Sequence, residues 1–243
     1  MFQNIFKNMG DVTKNLLIIN VLFFVAKVVF EARGVNLGQM LAMHYPSSPY
    51  FEPYQIATHF FMHANIGHIF FNMFALVMLG SHLESYWGAK RYLIFYFVTA
   101  FGAALLYFGV QGIEMYNATG EFFPSSPILD VDFNTGEFSY DPSLKGGLFI
   151  AKMYLGTVVG ASGAIYGLLM AFALLFPNTQ FMLLFPPIPI KAKWMALGLG
   201  GYALYSGYAN NPGDSTAHFA HLGGMLFGFI LIKIWKKNRN QFY

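Results

Sequence analysis

The sequence predicts an all-α polytopic membrane protein with six transmembrane helices and both termini in the cytoplasm. Only 10% of the 243 residues are charged, against roughly 25% in a typical soluble domain. Hydrophobic residues make up 56% of the chain, and the mean hydropathy is +0.48. The charged residues are too few to cover the surface of a soluble globule of this size. Lipid is therefore the expected solvent. A third observation, the distribution of Lys and Arg, predicts the orientation.

Composition also excludes several classes of protein. The apolar content is too high for a disordered chain. The net charge of +3 comes with no basic face, so we expect no nucleic-acid partner. Cysteine is absent, which excludes disulfides, thiol nucleophiles and iron–sulfur ligation. With no repeat of fixed period and no second domain, residues 1–243 are predicted to form one membrane domain.

Six apolar stretches predict the spans, since a spanning helix needs about 20 apolar residues. The first is interpreted as a retained span rather than a secretory signal, because no small-residue cleavage site follows and Lys27 interrupts its end. Lys27 and Glu31 are four residues apart and are expected to pair at the interface. The apolar segment Phe181–Ile190 carries three prolines and is predicted as an interfacial loop. The spans lie near Leu16–Phe30, Ile66–Tyr86, Tyr92–Val110, Val158–Phe176, Trp194–Tyr208 and His218–Trp235.

The positive charges orient this arrangement. With the N-terminus inside, ten of the 14 Lys and Arg residues fall in cytoplasmic segments and four fall outside. Residues 111–156 then form a long external loop, which is rich in Asp and Glu. We expect the membrane to be the inner (plasma) membrane of a bacterium.

Three polar clusters mark the starts of spans two, four and six. Polar residues within spans are costly, so each cluster needs a reason. All three of these spans run from outside to inside, so the clusters are expected at similar depth in the outer leaflet. The clusters are residues 59–72 with three histidines (His59, His63 and His68) and Asn72, residues 160–167 around Ser162, and residues 218–224 with His218 and His221.

Ser162 and His221 are candidates for nucleophile and base. Alone, Ser162 also fits a serine that bonds to its own helix, and His221 fits an ordinary interfacial residue. Together they suit catalysis, because a helix N-terminus favours a developing oxyanion and glycines allow helices to approach closely. A Ser–His hydrogen bond requires a separation of about 2.6–3.2 Å.

Other polar residues in the clusters support more than one interpretation. Tyr166 shares a helix face with Ser162, and it also fits a core aromatic. His68 and Asn72 share another face, as oxyanion donors or as a polar pair that bridges helices. The histidines also suggest zinc, with His63 and His68 facing His218 and His221. No HExxH motif and no carboxylate lie in the clusters, however, so we expect neither metal nor cofactor.

Taken together, the clusters resemble the rhomboid family of intramembrane serine proteases. The resemblance covers about residues 15–236 and includes the interfacial Phe-Pro-Pro-Ile-Pro-Ile-Lys-Ala-Lys-Trp at 185–194. Each motif alone is weak, but the set in order is specific. The motifs are His-x4-His-x3-Asn at His63, His68 and Asn72, Gly-x-Ser-Gly at Gly160–Gly163, and Ala-His-x-x-Gly at Ala220, His221 and Gly224.

The resemblance implies a six-helix rhomboid-like bundle with a Ser–His dyad that faces the external side. Ser162 would be the nucleophile and His221 its general base. His68, Asn72 and the Ser162 backbone N–H would form the oxyanion hole. Tyr166 would pack against the imidazole. His63, Gly160, Gly163 and Gly224 would support these groups.

The family implies substrates that are themselves membrane proteins, single-span or multi-span, cleaved in or near their spans within the lipid bilayer. The chain departs from many members in lacking a Trp-Arg pair in residues 34–58 and in its long acidic loop. The alternatives are a non-catalytic rhomboid-like protein that binds transmembrane segments and a channel or transporter with a polar midplane site.

Overall fold

The computed structural model describes residues 9–133, 135–182, 187–209 and 217–239, and this part of the chain is mostly helical. Short 3-10 and π-helical segments at His59–Phe61 and Leu76–Gly80 adjoin the α-helices. The helices are α1 (Asp11–Glu31), α2 (Leu37–Leu41), α3 (Gln55–Thr58), α4 (Ile66–Ala75), α5 (Ser81–Trp87), α6 (Ala89–Thr119), α7 (Gly147–Leu155), α8 (Ser162–Leu175), α9 (Ala192–Ala209) and α10 (His218–Arg239). The strands are β1 (Met43–His44), β2 (Ile128–Asp132), β3 (Glu137–Tyr140), β4 (Thr157–Val158), β5 (Gln180–Met182) and β6 (Pro189–Lys191).

Within the described residues, four helices are long and apolar enough to cross a membrane. They are Asp11–Glu31, Ile66–Trp87, Ala89–Thr119 and His218–Lys236. Helix α8 is apolar but has only 14 residues, about 21 Å at 1.5 Å per residue, and so is shorter than the ~30 Å hydrocarbon core. The count of six spans and the cytoplasmic position of both termini therefore stay predictions.

The chain divides into two compact units, which we describe separately. The first unit contains residues 1–17, 71–107 and 162–243. The second contains residues 18–70 and 108–161. Ser162 and His221 both belong to the first unit.

A seam of small residues joins helices α8 and α10 in the first unit. A side chain at Gly224 would overlap the carbonyl oxygen of Gly163, and one at Gly228 would lie 3.0 Å from the carbonyl oxygen of Gly167. The backbones are therefore in direct contact along two turns. Such close approach is the usual role of small residues in membrane helices.

A buried carboxylate caps helix α1 in the first unit. Glu84 on α5 is only 6% exposed. It accepts hydrogen bonds from the backbone N–H groups of Val12 and Thr13, at 2.9 and 2.8 Å. These N–H groups have no partner within their own helix, and the positive end of the helix dipole stabilises the carboxylate. Glu84 is a lone acid near the end of an apolar stretch, but its sequence neighbours do not reveal that it contacts the start of α1.

The second unit is organised around an aromatic cluster and a short antiparallel pair. Tyr45 stacks on Tyr154 with ring centroids 6.0 Å apart, and both pack with Met115 and Ile150. Strand β1 pairs with β4 so that His44 lies opposite Thr157. This pairing fixes the strand that leads to Ser162.

The predicted external loop, residues 111–156, contains regular secondary structure. Helix α6 has 31 residues, about 46 Å, and continues nine residues beyond the predicted span. Strands β2 and β3 then form an antiparallel hairpin that carries Asp130, Asp132 and Glu137, and α7 follows. These strands are too short to show a clear alternation of apolar and polar residues, so the sequence pattern did not predict them.

The predicted interfacial loop Phe181–Ile190 is described only at its two ends. Strands β5 and β6 pair there, with Phe181 opposite Ile190. Residues 183–186 between them lie outside the described residues, so the prediction for that part is not tested.

Candidate active site

Ser162 is the first residue of helix α8 and follows a short glycine-containing turn. Gly160 has φ +117°, a conformation that side chains with a Cβ rarely adopt, so glycine is required there. Its N–H donates to the carbonyl oxygen of His59 at 2.8 Å, which anchors the turn from the loop side. The N–H groups of the first helical turn have no intrahelical partner, and that of Ser162 is one of them. Ser162 therefore lies where the backbone favours negative charge.

His221 lies one turn into helix α10 with its ring against Ser162. Its Nε2 is 2.9 Å from the Ser162 Oγ, within the distance that a nucleophile–base pair requires. The imidazole is nearly parallel to the Tyr166 ring, at 4° and 4.1 Å between centroids. Tyr166 lies one turn after Ser162 on the same helix, so α8 supplies both the hydroxyl and the surface that orients the base. The structure brings Ser162, Tyr166 and His221 together.

The α8–α10 seam explains why the two side chains meet. Gly224 is one helical turn beyond His221, and Gly163 is the residue after Ser162. Contact between the Gly224 and Gly163 backbones sets the helix separation immediately beside the Ser–His pair. Gly163 also lies tightly against Ala103 of α6. Gly163 and Gly224 thus lie in the helix contact beside the Ser–His pair.

His68 and Asn72 lie four residues apart on helix α4 and therefore share one face. Asn72 belongs to the first unit and is 6% exposed. The π-helical segment Leu76–Gly80, which continues this helix, contacts α8. His68 belongs to the second unit, where its Nδ1 accepts a hydrogen bond from the Ala64 N–H at 3.3 Å.

His63 is buried in the second unit beside His68. The two rings meet edge to face with centroids 5.0 Å apart. Burial, and to a smaller extent the adjacent His68 ring, lower the pKa of His63 to about 4. His63 is therefore neutral at pH 7.

The zinc alternative required several of these histidines to converge. Among the residues that the structure describes, no three His, Cys, Asp or Glu side chains are grouped to hold a metal ion. His218 packs edge-on against Tyr202 and His221, at 5.7 and 6.1 Å between centroids. The observed surroundings of His218 are thus aromatic.

A polar network that the sequence motifs do not reveal supports the Gly160 turn in the second unit. The Gln55 side chain donates to the carbonyls of Met40 and Tyr50 and accepts from the His44 N–H. His59 Nδ1 lies 2.7 Å from the Gln55 carbonyl, and the His59 carbonyl accepts from Gly160. His59 belongs to the first polar cluster of the sequence, whose motif assigns it no role. A lone buried glutamine carries no sequence signal of its own.

Comparison with known proteins identifies the family. The model of the Rhomboid domain matches residues 50–238, well over half of the chain. The chain belongs to the rhomboid family. A mitochondrial rhomboid-like protein 12 of Arabidopsis thaliana is 28% identical to this rhomboid over 232 residues, 96% of this chain and 60% of its own length. An uncharacterized mitochondrial rhomboid protein of Schizosaccharomyces pombe is 27% identical over 201 residues, 73% of this chain and 50% of its own length.

A third rhomboid relative, the mitochondrial rhomboid protein 1 of Saccharomyces cerevisiae, is 25% identical over 185 residues, 74% of this chain and 42% of its own length. The chain thus spans about half of the length of the relatives that it matches. All three are named as mitochondrial, which contradicts the expected bacterial inner (plasma) membrane. The expectation was wrong because Lys and Arg bias orients a chain across a membrane but does not identify the membrane.

Proposed function

We propose that this rhomboid is an intramembrane serine endopeptidase with a Ser162–His221 dyad. The observation that carries the proposal is the 2.9 Å contact between the Ser162 Oγ and the His221 Nε2, in a chain of the rhomboid family. Tyr166 stacks on the imidazole and restricts its rotation. A serine hydroxyl is a weak nucleophile, and an adjacent oriented base is the usual means of activating it.

In the proposed reaction, the Ser162 Oγ attacks the scissile carbonyl carbon while its proton passes to the His221 Nε2. The tetrahedral intermediate collapses, and the imidazolium returns this proton to the leaving amine. Water then attacks the acyl-enzyme, with His221 again as base and acid in turn. No metal or organic cofactor is required by these steps.

The oxyanion of the tetrahedral intermediate needs hydrogen-bond donors. The Ser162 N–H lies at the N-terminus of α8, where the helix dipole adds a favourable field. The family resemblance adds His68 and Asn72, whose side chains carry N–H donors and share a face of α4. His63, Gly160, Gly163 and Gly224 act in this proposal by holding the reacting groups in place.

The proposed substrates are single-span or multi-span membrane proteins, cleaved in or near a span. The site residues lie at the start of apolar helices or within them, which is where a membrane-embedded substrate would meet them. Irregular backbone at such a depth is tolerated where it lines a water-filled cavity. We place the site on the side of the membrane whose segments contain few Lys and Arg residues. The mitochondrial names of the three relatives support a mitochondrial membrane as its setting.

A direct test uses purified protein in liposomes with a single-span substrate and a fluorophosphonate probe. Wild-type protein should cleave the substrate and carry the probe on Ser162, as mapped by mass spectrometry. Ser162→Ala should lose both while retaining the melting temperature of the wild type. Cleavage by Ser162→Ala at the wild-type rate would refute the nucleophile assignment.

The base assignment has its own matched pair of variants. His221→Ala should be as inactive as Ser162→Ala, and the double variant should be no worse, because residues that act as a unit are non-additive. His218→Ala, one turn earlier on α10, should retain activity. The reverse pattern would assign the base to His218, and activity lost to chelators but restored by zinc would favour metal chemistry. Binding of spans without cleavage by the wild type would favour the non-catalytic alternative.

A further inference from the structure

Lys27 makes contacts that reach beyond its predicted partner. Its Nζ is 4.0 Å from the Glu31 carboxylate, at the limit of an ion pair. Much shorter bonds run to the carbonyl oxygens of Ala64 and His63, at 2.7 and 3.1 Å. The Lys27 side chain is only 14% exposed. Its ammonium group therefore serves mainly as a donor to two successive peptide groups of the loop before α4.

One of these peptide groups also contacts His68. The carbonyl of His63 and the N–H of Ala64 belong to the same planar peptide unit. Lys27 donates to its oxygen, and its N–H donates to the His68 Nδ1 at 3.3 Å. A cation on the oxygen polarises the unit and strengthens the bond on its nitrogen side. It also fixes the plane in which that N–H points.

The contact at Nδ1 defines the proton position on His68. An amide nitrogen can only donate, so the Nδ1 that it contacts must be unprotonated. A neutral His68 ring then carries its proton on Nε2, because one nitrogen of a neutral imidazole donates and the other accepts. Asn65 holds the backbone at the same point, since its Oδ1 accepts from the His68 N–H at 2.9 Å.

We propose that Lys27 is a positioning residue that holds the 63–64 peptide unit so that His68 is kept as the Nε2–H tautomer, the form that can donate to an oxyanion. The proposal rests on the oxyanion role proposed for His68. Lys27 contacts neither substrate nor the dyad in this scheme. It acts through the 63–64 peptide unit. A residue of helix α1 thereby controls the Nε2–H donor of His68.

Three variants test this proposal. Lys27→Met keeps the length and removes the donor. Lys27→Arg restores charged donors. Glu31→Gln weakens the ion pair but leaves both carbonyl bonds, so it is the matched control. All three are to be prepared as full-length protein in liposomes with ¹⁵N-labelled histidine, and His68→Asn identifies the His68 resonances.

The first readout is the tautomer of His68 in nitrogen NMR spectra. Wild type, Lys27→Arg and Glu31→Gln should show an unprotonated Nδ1 and a protonated Nε2. Lys27→Met should show a mixture of tautomers. A loss of stability alone would not change this ratio. An unchanged single tautomer in Lys27→Met overturns the proposal, and Lys27→Gln is read in the same way if the methionine variant does not fold.

The second readout is single-turnover cleavage. Lys27→Met should lower kcat about 10- to 100-fold without a change in KM, the upper bound being complete loss of one oxyanion donor. Arginine should restore most of the rate. If the wild type cleaves the substrate and Lys27→Met has a normal kcat, the proposed role of Lys27 is overturned, and the protease function is not. Absence of cleavage and of Ser162 labelling in the wild type would overturn the protease function instead, while the tautomer spectra still decide the role of Lys27.

Discussion

Replacing Gly224 with alanine tests whether the helix seam sets the Ser162–His221 distance. The added methyl group would overlap the carbonyl oxygen of Gly163, a backbone atom that cannot rotate away. Helices α8 and α10 must then separate by roughly 1 Å or more to restore van der Waals contact. Because His221 is one turn from Gly224, most of this shift reaches the imidazole. The 2.9 Å contact would open to about 4 Å, outside hydrogen-bond reach.

Two effects of different size follow from this displacement. Overpacking should lower the free energy of unfolding by about 1–3 kcal/mol. A misplacement of about 1 Å between reacting groups should lower kcat about 10²-fold. Cleavage of a single-span substrate in liposomes measures the rate, and thermal unfolding in detergent measures the stability.

Two glycines of the same unit serve as controls. Gly228→Ala places its methyl 3.0 Å from the carbonyl of Gly167, so the neighbour must move by only a few tenths of an ångström, one turn further from the dyad. It should retain most activity. Gly201→Ala meets no atom within 4 Å and should behave as wild type. Wild-type kcat in Gly224→Ala, or equal losses in Gly224→Ala and Gly228→Ala, would refute local control of the dyad by the seam.

Three further predictions concern the surroundings of the dyad. Asn72→Ala should lower kcat about 10²-fold, the small end of the range for losing one oxyanion donor, and an effect on substrate binding alone in single-turnover assays would assign Asn72 to packing. Tyr166→Phe should keep the stack on His221 and near-normal activity, whereas Tyr166→Ala should lower kcat; equal activities would show that the stack is dispensable. The pKa values of His59 and His63 are lowered by burial to about 4, against 6.5 in the unfolded chain. The unfolded state then binds more protons, so the melting temperature should fall as pH drops from 6.5 towards 4, and His63→Gln should flatten this dependence.

Local patterns predicted the long apolar helices and singled out the candidate residues. The apolar stretches predicted helices because spans must satisfy their backbone internally, which imposes long continuous runs. Gly160 was identifiable from the Gly-x-Ser-Gly motif, and its φ of +117° explains why glycine occupies that position. Ser162, His221 and Asn72 stood out because polar groups are costly among apolar neighbours.

Contacts between distant residues could not be read in the same way. Glu84 capping the N-terminus of α1, and Gln55 joining His44 to the Gly160 turn, involve single residues without a repeating pattern. The hairpin of β2 and β3 is too short for its alternation to be distinguished from a loop. Lys27 was predicted to bind Glu31, because spacing along one helix is visible in the sequence, whereas the nearer Ala64 carbonyl is 37 residues away.

The residues alone thus indicate which polar groups this rhomboid has and which apolar stretch carries each of them. The 2.9 Å distance between the Ser162 Oγ and the His221 Nε2, and the stacking of Tyr166 on that ring, come from the packing of the helices. Helix formation depends on neighbours within a few residues, whereas the 59-residue separation of serine and histidine is closed by contact between the Gly163 and Gly224 backbones. Sequence spacing indicates that glycines permit such contact, and packing determines whether it forms.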